Sequence, residues 1–220
     1  MRAADFVASK KSSDRGFCGL EQATITFRSP LYSNIMNIDS SNLLTDTLAG
    51  AERDAQTVRT DSTPMTGLPH GAKSRDTILH ADDRGSLFEI FDTAWDFDDD
   101  PFPRVYASTM RPGVVKGWAL HKEHGDRYFI VTGDIQVVMY DVRPDSPTCG
   151  QVFVKTLSDK NRTLMTIPPF VWHADHNVGD VEAMLLNMPT RGYQYEKPDK
   201  YRLPIDTPLI PYNFGNVRGW

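Results

Sequence analysis

Cysteine is nearly absent: Cys18 and Cys149 are the only two among 220 residues. Two thiols in regions of unlike character make no disulfide framework, and a reducing cytoplasm is the compartment they predict. No apolar run reaches the ~18 residues that a membrane-spanning helix needs, so no membrane partner is expected. Residues 1–20 carry charge at both ends and lack the apolar stretch of about seven or more residues that marks a secretory signal. Positive charge is short as well. Lys and Arg number 24 against 29 Asp and Glu, a net charge of −5, which argues against a nucleic-acid-binding face. Internal repeats and low-complexity tracts are missing.

Tryptophan is missing from the first third. Residues 1–70 contain sixteen Ser or Thr but only four aromatics (Phe6, Phe17, Phe27 and Tyr32), while all four Trp and 12 of the 15 Pro lie beyond. So polar a segment cannot bury enough apolar surface to offset the entropy of ordering it. Residues 1–70 therefore read as a flexible, mostly disordered N-terminal extension with a short helix around residues 42–57. Residues 71–220 are long enough to close a core and read as the folded domain.

What that domain contains is short strands. Apolar or alternating runs fall at 77–80, 86–91, 104–110, 114–120, 127–131, 135–141, 151–157, 163–167 and 183–188. They are punctuated by turn clusters such as Asp82-Asp83-Arg84-Gly85, Arg111-Pro112-Gly113 and Thr132-Gly133-Asp134. With no long amphipathic helix between them, the pattern predicts an all-β, antiparallel jelly roll or small barrel.

Four of the six histidines form two tight groups, His121 with His124 and His173 with His176. Strand alternation sets Trp118 and Leu120 on one face, and Ala119 and His121 on the other. If the second face lines a barrel, His121 points into a cavity and Asp126 opens the next strand beside it. The plainer alternative is a set of surface loop residues. His124 and His176 read as solvated, Trp118 and Trp172 as barrel packing, and Asp141 with Arg143 as a structural tie across the 145–148 turn.

These two segments resemble the paired motifs of the cupin superfamily. Gly113, Ala119, His121, Asp126 and Gly133 fall at the positions of the first motif, and Pro168, Phe170, His173 and Asn177 at those of the second. Ala119 and Phe170 are the substituted positions. Within the cupins the chain is most similar to the dTDP-4-dehydrorhamnose 3,5-epimerase family. Asp83-Arg84-Gly85-Ser86-Leu87-Phe88-Glu89, Pro112-Gly113-Val114-Val115-Lys116-Gly117 and Asp141-Val142-Arg143 with Ser146-Pro147-Thr148 and Gly150 carry that likeness.

The resemblance implies a jelly-roll homodimer that binds a nucleotide sugar and, without a cofactor, epimerises carbons beside a 4-keto group. In that family a histidine removes the proton, a cation steadies the enolate and a tyrosine returns a proton. Here the catalytic histidine's position holds Ala119, and the tyrosine's falls near Leu186 or Asn187. His121, with Asp126, is the substitute base. Arg84, Glu89 and His173 match substrate-contacting positions, and Lys116 stands where the family has arginine. The leading reading is thus an isomerase acting on a 4-keto deoxyhexose linked to dTDP. One alternative is a non-catalytic sugar-nucleotide-binding cupin that has lost its base. Another is a metal-dependent cupin in which His121, Asp126 and His173 hold a divalent ion, two imidazoles and a carboxylate being a set suited to one.

Overall fold

The structure, a computed structural model, describes residues 42–219 apart from 63 and 66. What the sequence suggests for residues 1–41 lies outside the described residues. Contacts divide the chain at Ala55/Gln56. In the first unit, helix α1 (Leu43–Ala49) is short, ends at Gly50 and buries none of its side chains. It falls within the predicted 42–57 helix but covers only its first two turns.

The second unit is built on two facing sheets, antiparallel except for the pairing of one short C-terminal strand, a jelly-roll barrel. Its strands are β1 (Ser74–Asp76), β2 (Leu79–Asp82), β3 (Gly85–Phe88), β4 (Tyr106–Met110), β5 (Val114–Leu120), β6 (Asp126–Thr132) and β7 (Asp134–Asp141). After them come β8 (Val152–Ser158), β9 (Thr163–Ile167), β10 (Val171–Asn177), β11 (Ala183–Asn187), β12 (Tyr201–Arg202) and β13 (Arg218–Gly219). One sheet runs β1-β9-β6-β11-β4. The other runs β12-β5-β10-β7-β8, with β13 parallel beside β5, and β2 pairs only with β3 in a separate hairpin. All nine predicted strands are present, with ends shifted by a few residues. Among the described residues no helix is long and apolar enough to cross a membrane.

Three apolar clusters explain why the central strands read as continuous hydrophobic runs. Ile130, Val137, Met139 and Met165 pack between the sheets. Val138 and Trp118 face outward, under Tyr212 and Phe214 of the C-terminal segment. Phe129 and Leu164 face outward from the other sheet, under Phe91, Trp95 and Phe97. Strands covered on both faces lose the alternation of a half-exposed sheet.

Strand β10 was not among the predicted strands. Val-Trp-His-Ala-Asp-His-Asn has four polar residues in seven and follows Pro168-Pro169, so it reads locally as a loop. Pairing with β5 on one side and β7 on the other makes it a central strand. Phe170 enters it with φ of +60°, the left-handed conformation that favours glycine. That is the motif position where Phe stands in for Gly.

Candidate active site

The site begins with a bulge. On β10, His173 lies opposite Ala119 of β5, but Asp175, two residues on, lies opposite Lys116, three residues back. The extra residue on β5 breaks the alternation that would have put Lys116 on Trp118's outward face. Lys116 and Ala119 therefore both face inward. Gly117 makes this possible, because a Cβ there would lie 2.4 Å from the Cβ of Ala174.

Between the sheets, at the open end, lies a cavity of about 190 Å³. His121, just past β5, and His173 on β10 enter it, each ring held at Nδ1. The Nδ1 of His121 donates to the Asp199 carbonyl, and that of His173 lies 3.2 Å from the Val171 carbonyl. Both Nε2 atoms then face one oxygen, Asp126 Oδ2, at 3.4 and 3.5 Å. The other oxygen of Asp126 accepts from Asn187 Nδ2 at 2.9 Å, which also reaches the Tyr106 hydroxyl at 2.9 Å.

Burial and charge divide the labour among these groups. Burial opposes the imidazolium of His121, but the hydrogen bond and charge of Asp126 outweigh it and raise its pKa. His173 is governed by burial, reinforced by the charge of His121, and falls to about 4. Burial would raise Asp126, yet the hydrogen bond and charge of His121, then the charge of His173, hold it well below the usual carboxylate range. The result near neutral pH is an anionic Asp126 supporting His121, with His173 uncharged beside it.

Further residues line the cavity that the sequence reading did not single out. Asp175 shares the inward face with His173, and burial, then the charge of Asp126, pushes its pKa up to about 7. Tyr128 lies edge-on to His173 and donates to Asp175. Tyr106, on β4, stands opposite Asn187 of β11. Lys200 and Arg202 close the rim. Alternation along β10 would have found Asp175 once β10 was known to be a strand. Lys200 and Arg202 carried no such signal, because only two residues of β12 are regular.

The structure brings His121, Asp126, His173 and Lys116 into one cavity. Lys116 is already engaged, its Nζ donating to Ser108 Oγ at 2.9 Å and to the Thr109 carbonyl at 2.7 Å. Arg84 and Glu89, expected to contact substrate, do not line this chain's own cavity. Arg84 sits at the tip of the exposed β2–β3 hairpin with its guanidinium on Asp82, Nη2 to Oδ2 at 2.5 Å, and Glu89 follows β3, exposed. The hairpin pairs only with itself, so neither residue is carried inward.

His124 also differs from its solvated reading. It stacks on His121 with centroids 4.1 Å apart, and its Nδ1 lies 2.9 Å from Asp199 Oδ2. Asp199 accepts from the backbone N–H groups of Lys122 and Glu123 too, fixing the loop that carries both imidazoles. Asp141 is the structural tie expected of it, its carboxylate accepting from Arg143, Ser146 and Thr148.

Among the described residues, two sets have the ligand atoms for a divalent cation. These are His121 with Asp126 and His173, and His121 with His124 and Asp199, each with its candidate atoms within 4.8 Å of one another. Without a metal, the first set is an imidazole whose Nε2 faces a carboxylate, in a cavity also lined by Tyr106, Tyr128, Asp175 and two lysines. That combination suits proton abstraction beside a carbonyl.

Relatives of known description resemble this chain in sequence and fold. A probable low-salt glycan biosynthesis epimerase of Haloferax volcanii is 39% identical over 139 residues, 62% of this chain and 88% of that protein. The spore coat polysaccharide biosynthesis protein SpsL of Bacillus subtilis is 32% identical over 148 residues, 66% of this chain and 95% of the relative. Among solved structures, a dTDP sugar isomerase of Desulfovibrio desulfuricans superposes with a TM-score of 0.62 at 28% identity, over 66% of this chain and 92% of that one. The profile of one family, described as dTDP-4-dehydrorhamnose 3,5-epimerase, matches residues 70–210. Fold and sequence agree, and the chain belongs to the dTDP-4-dehydrorhamnose 3,5-epimerase family.

Proposed function

We propose that this protein is a nucleotide-sugar epimerase that deprotonates a carbon beside the 4-keto group of a dTDP-linked deoxyhexose, with His121 as the base. The observation that carries the reading is the pair formed by His121 Nε2 and Asp126 Oδ2, 3.4 Å apart inside the cavity. Ala119, at the position where the family has its histidine, cannot accept a proton. His121 lies two residues on, on the same inward face, about 6–7 Å along the chain.

The chemistry needs only a positioned base and a site for negative charge. Nε2 takes the proton, so the C–H bond breaks and an N–H bond forms, while the electron pair moves to the ketone oxygen as an enolate. Asp126 steadies the imidazolium that results, and the Nδ1 bond to the Asp199 carbonyl holds the ring in the tautomer that frees Nε2. Lys200 at the rim and Lys116 deeper in supply positive charge near the developing oxyanion. No cofactor enters this sequence of steps.

A homodimer in the cytoplasm completes the proposal. The β2–β3 hairpin leaves Leu79 and Leu87 52% and 61% exposed, and Ile78 ahead of it 72% exposed. A second copy covering that apolar surface is the economical explanation. Arg84 and Glu89 then serve the cavity of a second copy rather than their own.

A second reading, sugar-nucleotide binding without turnover, is favoured by one observation, the alanine at position 119. Incubating the protein with a dTDP-4-keto-6-deoxyhexose in D2O separates the two. Deuterium appearing at a ring carbon beside the ketone supports the epimerase. Tight dTDP binding with no exchange supports the binding protein. Exchange that stops when a chelator strips a tightly held divalent ion would assign His121, Asp126 and His173 to a metal instead.

A further inference from the structure

The cavity contains an acid for which proton abstraction at His121 has no use. Asp175 lies two residues beyond His173 on β10, on the same inward face and about 6–7 Å further along the strand. Its Oδ2 accepts from the Tyr128 hydroxyl across a long 3.4 Å. Its Oδ1 is buried and has no hydrogen-bond partner among the described residues. A buried carboxylate oxygen without a donor is costly, whereas a carboxyl group that carries a proton and offers it to a bound ligand is not.

Taking the epimerase reading as its basis, we propose that Asp175 is the proton donor of this cavity, returning a proton to the sugar from the end opposite His121. His121 removes the proton from the carbon beside the ketone, leaving the enolate. The Asp175 O–H bond then breaks and a new C–H bond forms at that carbon on its other face. As this happens the enolate electron pair returns to carbon and the ketone is restored. Asp175 is left as a carboxylate, which the Tyr128 hydroxyl hydrogen-bonds. Water takes the proton from the imidazolium and supplies one to the carboxylate, so both groups are reset without oxidant or reductant.

The other hydroxyls are placed for different tasks. Tyr106 is held by Asn187, the residue that also binds Asp126, and so belongs to the base's end of the cavity. Tyr128 already commits its proton to Asp175. Asp175 is the acid left with a free oxygen.

The test is Asp175→Asn, which keeps the shape and neutrality of the protonated acid but has no acidic proton. Wild type and variant are given a dTDP-4-keto-6-deoxyhexose in D2O, and NMR follows both deuterium incorporation and configuration at the exchanging carbon. Thermal melting and dTDP affinity establish that the variant is folded and binds. The expected result is exchange within about threefold of wild type, because His121 still removes and returns a proton on its own face, with formation of the inverted epimer reduced at least ~100-fold. Asp175→Ser, the second variant, carries the same expectation. Inversion at the wild-type rate in both variants overturns the assignment. So does a parallel loss of exchange and inversion, which would make Asp175 a positioning residue. Loss of inversion in Tyr106→Phe but not in Asp175→Asn would move the role to Tyr106. Absence of exchange in the wild type would overturn the epimerase reading itself, and this assignment with it. That outcome is distinct from intact exchange with intact inversion.

Discussion

At the scale of residues, the site works by setting like groups to different charges. His121 and His173 face the same oxygen of Asp126, yet burial leaves His173 neutral while the aspartate's hydrogen bond keeps His121 readily protonated. Asp126 and Asp175 differ in the opposite sense, one held anionic by its imidazoles and the other raised by burial. These shifts fix signs for the pH dependence of stability. His173 has a folded pKa of about 4 against an ordinary 6.5. Its contribution is therefore full above pH 6.5 and is lost as pH falls toward 4. Asp175 has a folded pKa of about 7 against an ordinary 3.8, so the folded state takes up a proton first and gains stability as pH falls through the same range. In denaturant titrations between pH 7 and 4, Asp175→Asn should lose stability on acidification more steeply than wild type, and His173→Gln less steeply. Equal slopes in all three proteins would contradict these environments.

At the scale of elements, the decisive feature is the bulge where β5 crosses β10. It turns Lys116 inward, and it depends on the absence of a side chain at position 117. Gly117→Ala should destabilise the fold by about 1–3 kcal/mol through overpacking against Ala174, read as a lowered midpoint in thermal or denaturant unfolding. An unchanged midpoint would mean that the strands part there freely. The same element shows what local sequence could reveal. His121, Asp126 and His173 were legible because they fall at the positions of the two cupin motifs that the chain resembles. The inward face of β5 was legible from Ala119 and His121 by alternation. Lys116 was reached only through the family resemblance, and its inward turn was not legible by alternation, since a bulge is a property of two strands and alternation is counted along one. Strand β10 was hidden by its own polarity, and Asp175 with it. Asp199 was hidden for another reason: its carboxylate and carbonyl reach the histidine loop across 78 residues of chain, from a segment with little regular structure.

At the scale of the whole molecule, the barrel supplies an enclosed cavity and the hairpin supplies an unmet surface. Light scattering should give a mass about twice the 24.8 kDa of one chain, and Leu87→Asp should shift it toward the monomer. A wild-type mass near 24.8 kDa would contradict the proposed dimer. Such a dimer would bring Arg84 and Glu89, which the family resemblance marks as substrate-contacting and which stand outside the cavity of their own chain, to the cavity of a second copy. The claim on which everything else turns is that the base has moved from position 119 to His121. The most direct measurement is the rate of deuterium incorporation from D2O into a dTDP-4-keto-6-deoxyhexose by wild type and by His121→Gln. Because a base acts in the transition state, the variant should bind dTDP nearly as well as wild type and lose exchange by at least ~100-fold; exchange at the wild-type rate in His121→Gln would show that another group removes the proton.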